Sequence, residues 1–209
     1  LNQASHQFEH MLRWATERYG EDTFIKAKEE FYLLAGKFFY DDECYHQRIH
    51  YFLDYFIFDR KVSDHLTKMN RDAPYFEFIN SNQFALGKIS EKAKAAFLDL
   101  RGSIHSIFTV KKASLTELTI IDLLTNEKIQ VAPMKGQIFQ GLEKGQIFQS
   151  YIYNWKGKHL LSKGVILHPY QSWNAILKAC KKNRKTKEKQ HLSLLMKLAK
   201  TQIESKIRK

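Results

Sequence analysis

Apolar residues recur along this chain with two different periods, and the change of period divides it into a helical front, a strand-rich middle and a helical tail. Phe8, Met11, Leu12, Ala15 and Tyr19 fall at helical spacing and Gly20 follows as a stop. Asp22 is a candidate N-cap for a second helix marked by Phe24, Ile25, Phe31, Leu34 and Phe38. Asp41 or Asp42 opens a third, with Tyr45, Ile49, Phe52, Leu53 and Phe56 on one face and Tyr51, Tyr55 and Phe58 on its flank. A helix apolar over so much of its circumference is expected at the centre of a bundle. Pro74 starts a short aromatic helix, and Ser90 caps another that runs through Ala93, Phe97 and Leu100 to Gly102.

From Ile104 the pattern shortens to strand-like runs: Ile104 to Val110, Leu118 to Leu124, Lys128 to Ala132, Gln146 to Trp155 and Lys158 to Leu167. Thr125-Asn126 and Lys156-Gly157 are turn candidates between them. Five short strands in so small a segment predict a curled antiparallel sheet or a small barrel. Lys135-Gly136-Gln137-Ile138-Phe139-Gln140 repeats as Lys144-Gly145-Gln146-Ile147-Phe148-Gln149. Two copies are too few for a solenoid, so a local duplication into two similar strands or turns is expected. The predicted fold class is therefore α+β: a helical domain over 1–101, a small β domain over 103–168 and basic C-terminal helices over 171–209.

Phe52-Leu53-Asp54-Tyr55-Phe56-Ile57-Phe58-Asp59-Arg60, Ser103-Ile104-His105-Ser106-Ile107-Phe108-Thr109-Val110 and Asp122-Leu123-Leu124-Thr125 resemble segments of a loose group of uncharacterised bacterial proteins. Those proteins pair an aromatic helical segment with a small β unit, and some carry a cysteine-rich SEC-C zinc tail. The resemblance covers residues 45–168 and implies the domain order. The tail of this chain has only Cys180, so the resemblance carries over no zinc ligands.

At 209 residues, 44% hydrophobic and 13% aromatic, the chain has ample material for a buried core. No apolar run approaches the roughly 20 residues of a membrane span. Leu1 to His6 shows no basic-then-apolar secretory signal, and Cys44 and Cys180 are isolated, so a cytoplasmic location is expected.

Charge adds a functional direction. The formal net charge is +12, and residues 171–209 hold twelve Lys/Arg against Glu188 and Glu204 alone, whereas residues 1–100 are slightly acidic. Lys178, Lys181, Lys182, Arg184, Lys185, Lys187 and Lys189 crowd into one short stretch. Such density displaces counterions from phosphates without reading bases. Tyr151, Tyr153 and Trp155 share one face of a predicted strand. Exposed, they would form a stacking platform for single-stranded bases; buried, they are core. The expectation is a non-catalytic module for RNA or single-stranded DNA that uses these ten residues.

The alternative is an adaptor. Leu192, Leu195, Met196, Ala199, Ile203 and Ile207 form an apolar stripe on a basic helix, suited to docking on its own domain, to a homodimer or to an acidic protein surface. Enzyme motifs are missing: there is no G-x-S-x-G, Walker loop, H-E-x-x-H or G-x-G-x-x-G, which leaves an enzyme whose site residues converge only in three dimensions as the third reading. His6 and His10, and Glu43, His46, His50 and Asp54, have helical spacing for metal ligands, but His6, His10, Glu43, His50 and Asp54 fall on polar faces and a partner helix with a second such element is missing. A solvated surface is the expectation there, with no cofactor implied. Asp54 and Asp59 are read as pointing apart, and Asp59-Arg60 as a helix-end charge pair.

Overall fold

The computed structural model describes residues 3–61, 72–86, 89–133, 139, 141–184 and 188–207. Helices α1 (Gln3–Tyr19), α2 (Glu21–Ala35) and α3 (Tyr45–Phe58) open the fold. The short helices α4 (Pro74–Ile79), α5 (Asn82–Leu86) and α6 (Glu91–Asp99) complete the helical front. Tyr51, Phe52, Tyr55, Phe56 and Ile57 of α3 are all buried, as a helix apolar on most sides requires. Phe31 of α2 meets the rings of Tyr51, Phe52 and Tyr55 at centroid distances of 5.4–6.1 Å. Those tilted and edge-on contacts suit the aromatic quadrupole better than face-to-face stacking. Pro74 occupies the first turn of α4, and the Ser90 hydroxyl accepts the Ala93 N–H to cap α6.

Strands β1 (Ile104–Ala113), β2 (Leu118–Asp122), β3 (Lys128–Ala132), β4 (Ile147–Trp155) and β5 (Lys158–Leu161) close into a barrel of order β1-β2-β3-β5-β4, with β4 returning to pair with β1. A two-residue strand, β6 (Ile166–Leu167), adds to β4. The sheet is mixed rather than wholly antiparallel: β3 and β5 run parallel, and the other pairings are antiparallel. The Lys156-Gly157 turn has φ of 49° and 70°, the positive pair that a tight hairpin needs, and it sends β5 back along β4. That course leaves β5 beside β3, and their parallel pairing shuts the cylinder.

Phe108, Val110, Leu118, Ile120, Ile129, Val131, Phe148, Ile152 and Leu161 fill the barrel. The outer face of β4 is buried as well, because Tyr151 and Trp155 join the same apolar cluster as α1, α2 and α3. Of the repeated six-residue segment, the second copy leads into β4, while the first lies outside the described residues except for Phe139, which is buried.

Two helices end the chain: α7 (Trp173–Asn183) and α8 (Glu188–Ile207). Ile176 and Cys180 of α7 pack with Ile107, Ile147, Leu123 and Leu124 against the barrel wall. Asp122 steers the two leucines there, its Oδ1 accepting the Leu124 N–H at 2.7 Å and the Ser106 hydroxyl at 2.8 Å. Leu195, Met196 and Ala199 of α8 are buried between barrel and bundle. The apolar stripe of α8 is therefore spent inside the molecule over its described side chains. No helix among the described residues is long and apolar enough to cross a membrane.

Candidate functional site

The basic segment is held in place by its apolar side. With Ile176 and Cys180 fixed against the barrel, Lys178, Lys181 and Lys182 stand exposed on the opposite side of α7. Among the described residues, no carboxylate forms an ion pair with any of the three. Arg184 is anchored instead, its Nε donating to the Leu123 carbonyl at 3.1 Å. Lys185 and Lys187 lie outside the described residues, as does the side chain of Lys189.

The expected aromatic platform is corrected by burial. Tyr151 is 1% exposed and Trp155 8% exposed, and the partly buried Tyr153 ring packs between Phe8 and Phe58. All three point from the outer face of β4, which is the face the bundle covers. The sequence showed that they share a side, but it did not show what lies against that side. Exposed rings are found elsewhere: Phe39 and Tyr40 before α3, and Tyr170, which is 75% exposed and meets Trp173 edge-on at 4.8 Å at the start of α7.

A second arrangement was read quite differently from sequence. Asp54, assigned there to a solvated polar face, is 1% exposed. Its Oδ1 accepts the Tyr153 hydroxyl, and its Oδ2 accepts the Ser162 hydroxyl at 2.5 Å. Burial pushes the Asp54 carboxyl up to about 7, against the pull of those two donors. Asp59 does not pair with Arg60. Its Oδ2 accepts the Tyr151 hydroxyl and the His105 Nδ1–H, the latter at 2.5 Å. Arg60 instead donates to Glu30 at 2.9 Å.

From Asp59 a chain of hydrogen bonds crosses the interface between bundle and barrel. Gln149 Nε2 donates to the Tyr51 oxygen at 2.7 Å, which leaves the Tyr51 proton for His105 Nε2 at 2.6 Å. At the far end, His168 Nε2 donates to Gln149 Oε1 at 3.0 Å. Burial pushes His168 down to about 4, with Arg48 adding to the effect, so the ring is neutral near pH 7. Tyr51 and Tyr151 are driven well above the ordinary phenol range, chiefly by burial. The relay therefore orients a line of donors towards the Asp59 acceptor. Its members come from α3, β1, β4 and the segment after β6, and no spacing in the sequence joins them. The one available signal was an excess of Tyr, His and Asp within the apolar runs.

Each end of this relay borders a cleft. Asp59, His105 and Tyr151 line one of about 700 Å³, together with Arg101, Asp122 and His191. His168 lines the other, of about 970 Å³, with Arg48, Lys144, Tyr170 and Trp173. Arg48 is 1% exposed; its Nη2 donates to Ala199 O at 3.1 Å and to Gln202 Oε1, while Nη1 has no acceptor. No group of three or more His, Cys, Asp or Glu converges as a metal-ligand set among the described residues. No protein-family model, curated protein or solved structure matches this chain.

Proposed function

We propose that this protein binds RNA or single-stranded DNA through the phosphate backbone, using the outer face of α7. One observation carries the reading. Lys178, Lys181 and Lys182 are exposed at the i, i+3, i+4 spacing of one helical face, and no carboxylate pairs with them among the described residues. A helix whose other side is locked to a barrel presents those charges from a fixed backbone, so little backbone freedom is lost on binding. The five-stranded Greek-key barrel adds only an architectural likeness to OB-type domains, some of which bind oligonucleotides. With Tyr151, Tyr153 and Trp155 in the interior, the reading assigns them no base contact.

Counterion release sets the expected size of the effect. Three neutralised phosphates give a slope of about −2 in log K against log salt for a single strand, and steeper if further cations join. The test is fluorescence anisotropy with labelled single-stranded RNA and DNA at salt from about 50 to 200 mM. Binding should weaken along that slope and depend little on base sequence. Replacing Lys178, Lys181 and Lys182 by Gln should remove roughly 0.7 of slope per residue. Undetectable binding at the lowest salt rejects the reading and favours an acidic protein partner for the same face.

A further inference from the structure

The larger cleft, at the junction of α3, β6 and α7, contains a charge that the fold does not balance. Arg48 is buried in its wall, and among the described residues no carboxylate is hydrogen-bonded to it. Burial pulls the guanidinium below its ordinary value, opposed among the described residues by a hydrogen bond and charge interaction with Cys44 and, less strongly, by Tyr51 and Asp42. Nη2 pins α8 through Ala199 and Gln202, and this half of the group has a structural use. Nη1 has none. A buried guanidinium with unused N–H donors favours an anion, because the alternative is an uncompensated charge in a poorly solvated place.

The surroundings narrow the ligand. Lys144 supplies a second, exposed cation on the same cleft. Trp173 is fixed by its Nε1 donating to His168 O at 2.9 Å, and Tyr170 stands beside it, so an aromatic surface faces the cleft near the cations. Glu143, exposed on the rim, opposes a long polyanion such as a nucleic-acid strand lying across the cleft. We propose that this cleft binds a small organic anion, with a single phosphate or carboxylate drawn to Arg48 and Lys144 and an apolar or aromatic body against Trp173 and Tyr170. Arg48 is one of the residues lining the cleft and its Nη1 is buried, so its charge is felt through the cleft wall or after a side-chain shift. The site is separate from the exposed lysines of α7 and does not depend on their binding nucleic acid.

The test is a titration of the full chain, followed by amide and indole NMR shifts, with three probes that share a ring: phenyl phosphate, benzoate and benzyl alcohol. At least one of the two anions should give saturable shifts at the Trp173 indole and at the Gly145 and His168 amides, and the alcohol should give none at the same concentration. Which anion binds more tightly distinguishes a phosphate site from a carboxylate site. Arg48→Gln should weaken binding about tenfold or more. Because Arg48 also holds α8, Lys144→Ala and Tyr170→Ala, both at exposed positions, provide a second measure and should each weaken binding severalfold. The proposal is overturned if neither anion saturates, if benzyl alcohol binds equally well, or if Lys144→Ala and Tyr170→Ala leave the anion's affinity unchanged.

Discussion

Asp54 ties folding stability to pH in a direction opposite to that of most carboxylates. Its carboxyl lies at about 7 in the folded protein against 3.8 for the free side chain, because burial outweighs the two hydroxyl donors. Between those values the folded chain keeps a proton that the unfolded chain releases. Its contribution is therefore fully present below about pH 4 and is lost as pH rises through about 7. At 1.36 kcal/mol per unit, the whole effect is on the order of 4 kcal/mol, large beside a typical domain stability of about 5–15 kcal/mol. His168 works the other way: it is held neutral down to about 4, so its contribution is lost as pH falls from about 6.5 to about 4. The two slopes oppose each other in the wild type. The assay is therefore a difference: urea unfolding of the wild type and of Asp54→Asn at pH values from about 5 to 8, where the His168 contribution is common to both. Relative to the Asn variant, the wild type should lose about 1.4 kcal/mol per pH unit up to about pH 7 and then level off. A difference that is flat, or that grows with pH, means that Asp54 is ionised throughout in the fold and refutes the reasoning.

Three further outcomes test the packing. A Cβ at Gly164 would sit 2.6 Å from the Tyr51 backbone and 2.9 Å from Asp54 Oδ2, so Gly164→Ala should push the β5–β6 connection off α3 and cost about 1–3 kcal/mol in urea unfolding. Ser90→Ala removes the α6 cap and should cost about 1 kcal/mol by the same measurement; no change would mean that the exposed cap is replaced by water. Cys180 is 1% exposed with its thiol pushed up to about 11, whereas Cys44 is partly exposed. An aromatic disulfide reagent near pH 8 should modify Cys44 in the native protein and both thiols in denaturant, as read by mass spectrometry. Prompt labelling of Cys180 in the native state would show that α7 leaves the barrel readily.

Element positions were legible because local spacing carries them. The stripe Phe8, Met11, Leu12, Ala15 and Tyr19 lies within α1, Ser90 caps α6, and Lys128 to Ala132 is β3. Which face is inward was less legible. On α2 the buried side is Ala27, Phe31 and Ala35, while Ile25 is 47% and Leu34 42% exposed. Large side chains drew the predicted stripe off the true one, since α2 needs small residues where it approaches its neighbours closely. The parallel β3–β5 pairing and the seating of β4 against the bundle are long-range, and period alone does not encode them. The same holds for the candidate sites. The cations of α7 were visible as a run, but the relay through Asp59, His105, Tyr51 and Gln149 joins residues up to 98 positions apart in single hydrogen bonds. Asp54 and Asp59 look like surface groups on a helical wheel because a wheel contains no barrel.

The double burial of β4 bears on how the chain is made. During synthesis α1, α2 and α3 emerge before β4 and α8, which cover part of their broad aromatic face. Arg48 waits for Ala199 and Gln202 of α8, and Tyr51 for Gln149 of β4. A nascent chain that has released α3 but not yet α8 thus carries a greasy, unsealed surface, the kind of species that chaperones shield.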